Sequence, residues 1–411
     1  PPMLDIALIT ATPPSTNPGM LACEATAHSF LARNGLLEAT TFFRIESLEA
    51  RLKGHDPGTR QRILTECDLG REYLLLKNVS QLQEFVPLYW GDFLHMNPYQ
   101  NALRLSWSEN KADVRRLLLL EGAPESTKRR TISYATSILF NGTEDYRNPE
   151  YGPALLHFIQ SAHHIQMRDA ISAARVAGMR HSQRSVFGLD AAQLLALPEC
   201  AKYLLGEALD CERRPRALLF FGRGLHDWTL TKPFIHRLVQ TLDLQPEWFP
   251  WGDVMSFPYM DTAWKELPVT TLAGLGKSHH LNKLLHVLRS STLVVTDTYH
   301  LAAISWALGV PAVVVAGGYH PREITAKSLD LRVRHDKRKI LLAQDGLLDY
   351  FIEPYLLSAT GRWRDVADRL ALLLRDPRMV IDARKMLASR AQVSEDSLLA
   401  AIQSARFGMT E

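Results

Sequence analysis

At 411 residues, 46% hydrophobic and 22% charged, the chain has the composition of a folded globular protein and exceeds what one core usually serves, so two domains are expected. Gly 23 and Pro 22 exclude collagen-like and low-complexity classes. Lys+Arg 47 against Asp+Glu 44 leaves a net charge of +3, far short of a dedicated nucleic-acid binder, so no nucleic-acid partner is expected.

Leu4 to Ile9 is a short apolar run that reads as a buried strand. The loop TATPPSTNPG follows, then a helix from Met20 to about Arg33. Strands are expected at Thr40 to Ile45, Phe85 to Trp90, Thr131 to Phe140 and Ile165 to Met167, with a helix from Ala154. Such alternation indicates a parallel α/β sheet. Between Ala191 and Arg216 the composition changes, with Pro198, Pro215 and the run CERRPR, and a domain boundary is expected within about ten residues of Cys211. The alternation then restarts: a strand at Ala217 to Phe221, Gly222-Arg223-Gly224, a helix near Pro233 to Thr241 with proline in its first turn, a strand at Leu293 to Thr296, a helix at His300 to Leu308, and a strand at Ala312 to Ala316. Amphipathic helices at Asp365 to Leu374 and Ser394 to Arg406 close the chain. No 20–50-residue repeat is visible. The expected architecture is two Rossmann-like domains facing a cleft: residues 1–205, residues 206–380, and a helical segment over 381–411.

The most apolar stretch, Leu293 to Gly318, is broken by Asp297, His300 and Ser305, so no membrane-spanning helix is expected. The opening PPMLDIALIT lacks the basic and apolar regions of a signal peptide. Cys23, Cys67, Cys200 and Cys211 form no CxxC pair. Neither a disulfide framework nor a metal site is expected, and a reducing cytoplasm is the simplest setting.

The most informative segment is STLVVTDTYHLAAISWALGVPAVVVAGG, Ser291 to Gly318. Its strand–turn–helix places Asp297, Thr298, Tyr299 and His300 at a strand's C-terminal edge and a helix N-terminus. Open α/β sheets bind ligands there, and backbone N–H groups attract anions. Read from position alone, Asp297 or Thr298 can equally be a helix cap and His300 a satisfied turn residue.

Four stretches resemble the polysaccharide pyruvyl transferase family in order and spacing. In the first, Thr298-Tyr299-His300 stands where the family has an Arg-Leu-His-like triplet, followed by an alanine-rich helix and Gly309-Val310-Pro311. The second is MRDAISAARVAGMRHSQRSVFGLDAAQLL, in which Arg168, Asp169, Ser172, Gly178, Asp190 and Ala192 fit the family pattern. The third is YWGDFLHMNPY, where Gly91 and Asp92 match a Gly-Gly-Asp strand end. The fourth is NPGMLACEATAHSFLAR, where Asn17 and Gly19 match and Met20 replaces an acid.

The resemblance implies a glycosyltransferase-B-like fold and transfer of pyruvate from phosphoenolpyruvate onto a sugar diol as a cyclic ketal. The acceptor is expected to be a glycan or lipid-linked precursor, with no separate cofactor. A homo-oligomer and peripheral contact with the membrane surface are compatible with it. Arg168 would hold the donor's carboxylate or phosphate, His300 would bind phosphate or protonate the methylene carbon, and Asp92 would accept a hydroxyl proton or position the acceptor. Thr298 in place of the family arginine removes a charge-assisted contact of roughly 1.5–3 kcal/mol. Arg223, Lys277 and Arg322 are candidates to replace it, Tyr299 and Asn17 further substrate contacts, and His95 a possible acceptor contact.

Each feature also has a plainer reading: Arg168 as an ion-pair partner of Asp169 or another acid, Asp92 as a turn or cap residue, His95 as a surface residue, and RVRHDKRK (Arg332 to Lys339) as a solvated face or lipid contact. GLGKS lacks the first glycine of a phosphate loop, Thr271 standing there, and Gly222-Arg223-Gly224 lacks the full dinucleotide pattern. Trp90, Tyr99, Trp228, Trp248 and Trp251 can stack on sugars or pack the core. Two other functions stay open: a nucleotide-sugar-dependent glycosyltransferase of the same architecture, for which Glu323 is the nearest ribose-binding acid, and a non-catalytic glycan-binding or scaffold protein.

Overall fold

The computed structural model describes residues 3–10, 17–46, 49, 52–67, 69–91, 93–106, 114–180, 187–206, 212–222, 228–251, 280–316, 336–358 and 362–407. Among them lie two parallel sheets. The first has six strands: β1 (Asp5–Thr10), β2 (Thr40–Arg44), β3 (Leu74–Leu75), β4 (Phe85–Trp90), β5 (Ile132–Thr136) and β6 (His164–Met167), in the order β3-β2-β1-β4-β5-β6. That is the doubly wound dinucleotide-fold order. The second sheet has β7 (Arg214–Phe220), β8 (Gln245–Trp248), β9 (Ser291–Thr296), β10 (Ala312–Val315) and β11 (Phe351–Ile352), in the order β11-β10-β9-β7-β8.

The strand pattern explains the layering. In β1, Ile6 and Leu8 enter one buried cluster and Ala7 and Ile9 the other, because successive side chains leave opposite faces. The first of these clusters continues into the second half through Leu218, Val294 and Trp306, so the two sheets share one core. Two helices at that junction are buried along almost their whole length, Pro18–Arg33 and Tyr299–Ala307. A helix apolar on every side needs protein all round it, and small residues such as Gly19, Ala22, Cys23, Ala302 and Ala303 let these two approach.

Several expectations shift. β3, β8 and β11 are additional strands, and β5 ends at Thr136, where a bulge at Ala135 with φ 55° breaks its register with β6. The helix around Pro233 begins at Trp228, so the proline lies inside it rather than in its first turn. The closing segment is one 30-residue helix, Pro377–Arg406, with Asp376 as its N-cap. That helix returns to the first half. Glu395 takes a bidentate contact from Arg33 at 2.7 and 2.8 Å, and Arg406 Nε donates to the Leu4 carbonyl at 2.7 Å. Trp90, Trp248 and Trp251 are buried core residues and Tyr99 packs against the core. Among the described residues no helix is long and apolar enough to cross a membrane.

Candidate active site

Strand ends and helix starts of both halves meet at one cluster, built from four segments. Arg168 follows β6 directly, and its N–H donates to the Thr136 carbonyl at 2.9 Å. Asp190 is the N-cap of the short helix Ala191–Ala196, its Oδ1 accepting from Ala192 N at 2.9 Å. Cys23 lies in helix Pro18–Arg33, where Trp90 Nε1 donates to its carbonyl at 2.8 Å. His300 is the second residue of the helix after β9. The strand-end turn before it is fixed by Asp297, whose Oδ1 accepts from Gly222 N at 2.8 Å and from Thr298 Oγ1 at 3.1 Å.

Asp190 is the hub. Its Oδ2 lies 3.5 Å from Arg168 Nη1 and 3.7 Å from His300 Nε2, and Cys23 Sγ lies 3.8 Å from its Oδ1 and 3.9 Å from His300 Nε2. Arg168 and Asp190 are each 1% exposed and His300 7%. Burial opposes the Asp190 charge, but His300, then Arg168 and the Ala192 N–H hold its carboxyl well below the ordinary carboxylate range. The ion-pair separations exceed direct hydrogen-bond lengths, so the groups meet in van der Waals and charge contact rather than through short hydrogen bonds.

A cationic wall stands beside it. The Arg168 guanidinium lies 4.0 Å from the Phe93 ring and 5.0 Å from the Tyr299 ring, and Lys337 Nζ lies 5.1 Å from both. Burial, followed by the Asp190 charge, raises Tyr299 well above the usual phenol value, so its hydroxyl stays protonated. Gln344 links the halves here: its Oε1 accepts from Ala170 N and its Nε2 donates to the Arg168 carbonyl, both at 3.3 Å.

The sequence candidates therefore separate. Arg168, Thr298, Tyr299 and His300 come together. Arg168 pairs with Asp190 and not with Asp169, which instead accepts from Ser137 Oγ and Ser172 N, each at 2.7 Å, as a cap of the next helix. His95 is a correction. It is 2% exposed, not a surface or acceptor residue, and its ring nitrogens lie 2.9 Å from the Leu118 carbonyl and from Ser133 Oγ. Burial pushes it down to about 3, so it is a neutral core histidine. Asn17 is the N-cap of its helix, its Oδ1 accepting from Gly19 N at 3.0 Å, and Gly19 in turn lies against His300. Asp92, Arg223, Lys277, Arg322, Glu323 and the Trp228 side chain lie outside the described residues.

Three features escaped the sequence reading. Asp190 was visible as a motif position but had no role. Cys23 carried no local signal. Lys337 belongs to a basic run expected to be solvated, yet it is half-buried against Phe93 and Tyr299. No metal-ligand spacing is visible in the sequence, yet among the described residues one ligand atom from each of Cys23, Asp190 and His300 lies within 4.8 Å of the others.

A family model described as polysaccharide pyruvyl transferase matches residues 106–319, just over half of the chain. The chain belongs to the polysaccharide pyruvyl transferase family. The matched span contains Arg168, Asp190, Thr298, Tyr299 and His300, whereas Cys23 and Lys337 lie outside it. No curated protein matches the chain. Among solved structures, this family member is similar to UDP-GlcNAc 2-epimerase from Neisseria meningitidis bound to UDP-GlcNAc, with TM-score 0.52, 9% identity, and 97% of this chain and 100% of that chain covered. It is also similar to S. aureus MnaA in complex with UDP, with TM-score 0.52, 11% identity and coverage of 100% and 98%. These likenesses are ones of fold: two parallel α/β domains in the glycosyltransferase-B-type arrangement that the sequence led us to expect.

Proposed function

We propose that this transferase moves the pyruvate moiety of phosphoenolpyruvate onto two hydroxyls of a glycan or lipid-linked precursor, forming a cyclic ketal and releasing phosphate. One observation carries the reading within the family: a guanidinium from the first half and an imidazole from the second converge on the Asp190 carboxylate. Arg168 and Lys337 supply the two cations that a donor with a carboxylate and a phosphate needs, Lys337 standing in for the arginine that Thr298 replaces. In this reading His300 Nε2, 3.7 Å from Asp190 Oδ2, is the group that delivers a proton to the donor's methylene carbon. Protonation there makes the adjacent carbon electrophilic. One sugar hydroxyl adds, phosphate leaves, and the second hydroxyl closes the ring. Of the two hydroxyl protons, one ends on the new methyl group and the other leaves with phosphate. Asp190 balances the imidazolium charge through the cycle. Because Arg168 and His300 are nearly covered, the donor enters after the surrounding groups part.

The test incubates the protein with phosphoenolpyruvate and a panel of galactosides, glucosides and mannosides, following phosphate release and the mass gain of the ketal. A donor-dependent product, lost in Arg168→Ala and in His300→Ala with the fold intact, is the expected result. Absence of product together with thermal stabilisation by a nucleoside diphosphate would replace this reading with a nucleotide-sugar glycosyltransferase. Absence of any donor effect would leave a glycan-binding or scaffold protein.

A further inference from the structure

We infer that Cys23, Asp190 and His300 form a three-ligand site for a borderline-soft divalent cation, Zn²⁺ being the best match. Cys23 Sγ lies 3.8 Å from Asp190 Oδ1 and 3.9 Å from His300 Nε2, His300 Nε2 lies 3.7 Å from the other carboxylate oxygen, Oδ2, and one ligand atom from each residue lies within 4.8 Å of the others. Zinc bonds of about 2.3 Å to sulfur and about 2.0–2.2 Å to nitrogen and oxygen, at tetrahedral angles, require ligand separations of about 3.4–3.6 Å. The triangle of side chains therefore has to draw in, with the carboxylate turning one or both of its oxygens to the ion. None of its edges is a strong hydrogen bond that the metal would have to break.

The ligands are held before any ion arrives. The Cys23 backbone is anchored by Trp90 Nε1 at 2.8 Å and Thr26 Oγ1 at 2.7 Å, both donating to its carbonyl. Asp190 is fixed at both ends, with Ala192 N on its Oδ1 at 2.9 Å and Gln193 Oε1 on its N–H at 3.1 Å. His300 is wedged against Gly19, whose position leaves no room for a Cβ. Such outer contacts set ligand orientation in metal sites. A thiolate, a carboxylate and a neutral imidazole balance the dication. Binding displaces the Cys23 thiol proton to solvent, and a fourth position stays open to water or an anion. The Arg168 guanidinium, 3.5 Å from Asp190 Oδ2, opposes the cation and tempers its affinity. One consequence rests on the pyruvyl-transfer reading: zinc occupies His300 Nε2 and so blocks turnover until a chelator removes it.

The site itself is tested without any substrate. The full chain, stripped with a chelator and dialysed, is titrated with Zn²⁺ by calorimetry and with Cd²⁺ by ultraviolet absorption, where a sulfur-to-cadmium charge-transfer band reports the thiolate. We expect one ion per chain. Cys23→Ser and His300→Gln should each weaken Zn²⁺ binding by about a hundredfold or more, exceeding the loss seen when only outer contacts are removed. Cys23→Ser should abolish the cadmium band and Cys200→Ala should keep it, with thermal melts of the metal-free variants confirming that each folds. No binding by the folded wild type, or binding indifferent to both Cys23→Ser and His300→Gln, overturns the inference.

Discussion

Gly19 lies directly against the ring of His300: a Cβ at Gly19 would fall 2.3 Å from His300 Cβ and 2.7 Å from Nδ1. Glycine so near the start of a helix costs up to about 1 kcal/mol relative to alanine. Here that cost lets two buried helices from opposite halves touch, and it fixes where the imidazole stands. Gly19→Ala should improve helix propensity and still lose, because the ring must move. We expect a stability loss of roughly 1–3 kcal/mol from overpacking and a larger fall in turnover than in donor affinity. Chemical denaturation beside initial-rate kinetics checks this; a variant more stable and fully active would show that the contact does not position His300.

Asp190 sits between two groups that otherwise have no reason to meet. Asp190→Asn keeps an oxygen for the Ala192 N–H but leaves Arg168 buried beside a neutral partner. Breaking one side of such a pair costs roughly 3–5 kcal/mol, whereas removing both sides costs less. Asp190→Asn should therefore lower the melting temperature, and the double variant Arg168→Gln with Asp190→Asn should recover part of it without regaining activity. A double-mutant cycle in stability measures the coupling. Strict additivity would mean that the 3.5 Å contact carries no energy.

Much of this frame was legible because strand ends in parallel sheets have strong local signatures. The turn at Asp297 to His300 follows an apolar β-branched strand, and Arg168 follows the short strand His164–Met167, so both were found where the fold presents ligand positions. Asp190 was found only as a spacing, since its role depends on His300, 110 positions further along the chain. Cys23 reads as one more small residue in an apolar helix. β3 and β11 have two residues each, and β8 is a polar edge strand with Pro246, so none has a period to detect. His95 misled in the opposite direction. Its partners, Leu118 and Ser133, are distant in sequence, and only packing makes it a core residue.

Lys337 illustrates how a charge run conceals a site residue. Its ammonium lies against the same two rings, Phe93 and Tyr299, as the Arg168 guanidinium, and like charges gathered at one site repel. An anionic donor relieves that repulsion. Lys337→Ala should raise the phosphoenolpyruvate KM at least about tenfold, the loss expected for one charge-assisted contact, and change kcat less. Lys337→Arg should retain most of the affinity. Steady-state kinetics with donor varied checks both, and an unchanged KM in Lys337→Ala would remove the lysine from the donor site.

His95 sets a separate, structural pH dependence. Burial lowers it to about 3 in the folded chain, with the Leu118 hydrogen bond acting the other way. In the unfolded chain an ordinary histidine titrates near about 6.5. Above that pH both states are neutral, and His95 contributes no slope. Below it the unfolded chain takes up a proton that the native state refuses, so stability falls continuously until about pH 3. Over that window the loss approaches roughly 4–5 kcal/mol. His95→Gln should be less stable than wild type near neutrality, by about 1–2 kcal/mol for its imperfect hydrogen bonds. Its stability should then decline less steeply with acid, so the two curves converge or cross between pH 6 and pH 3. Urea unfolding at a series of pH values measures both slopes, and parallel curves would show that His95 does not titrate between the two states.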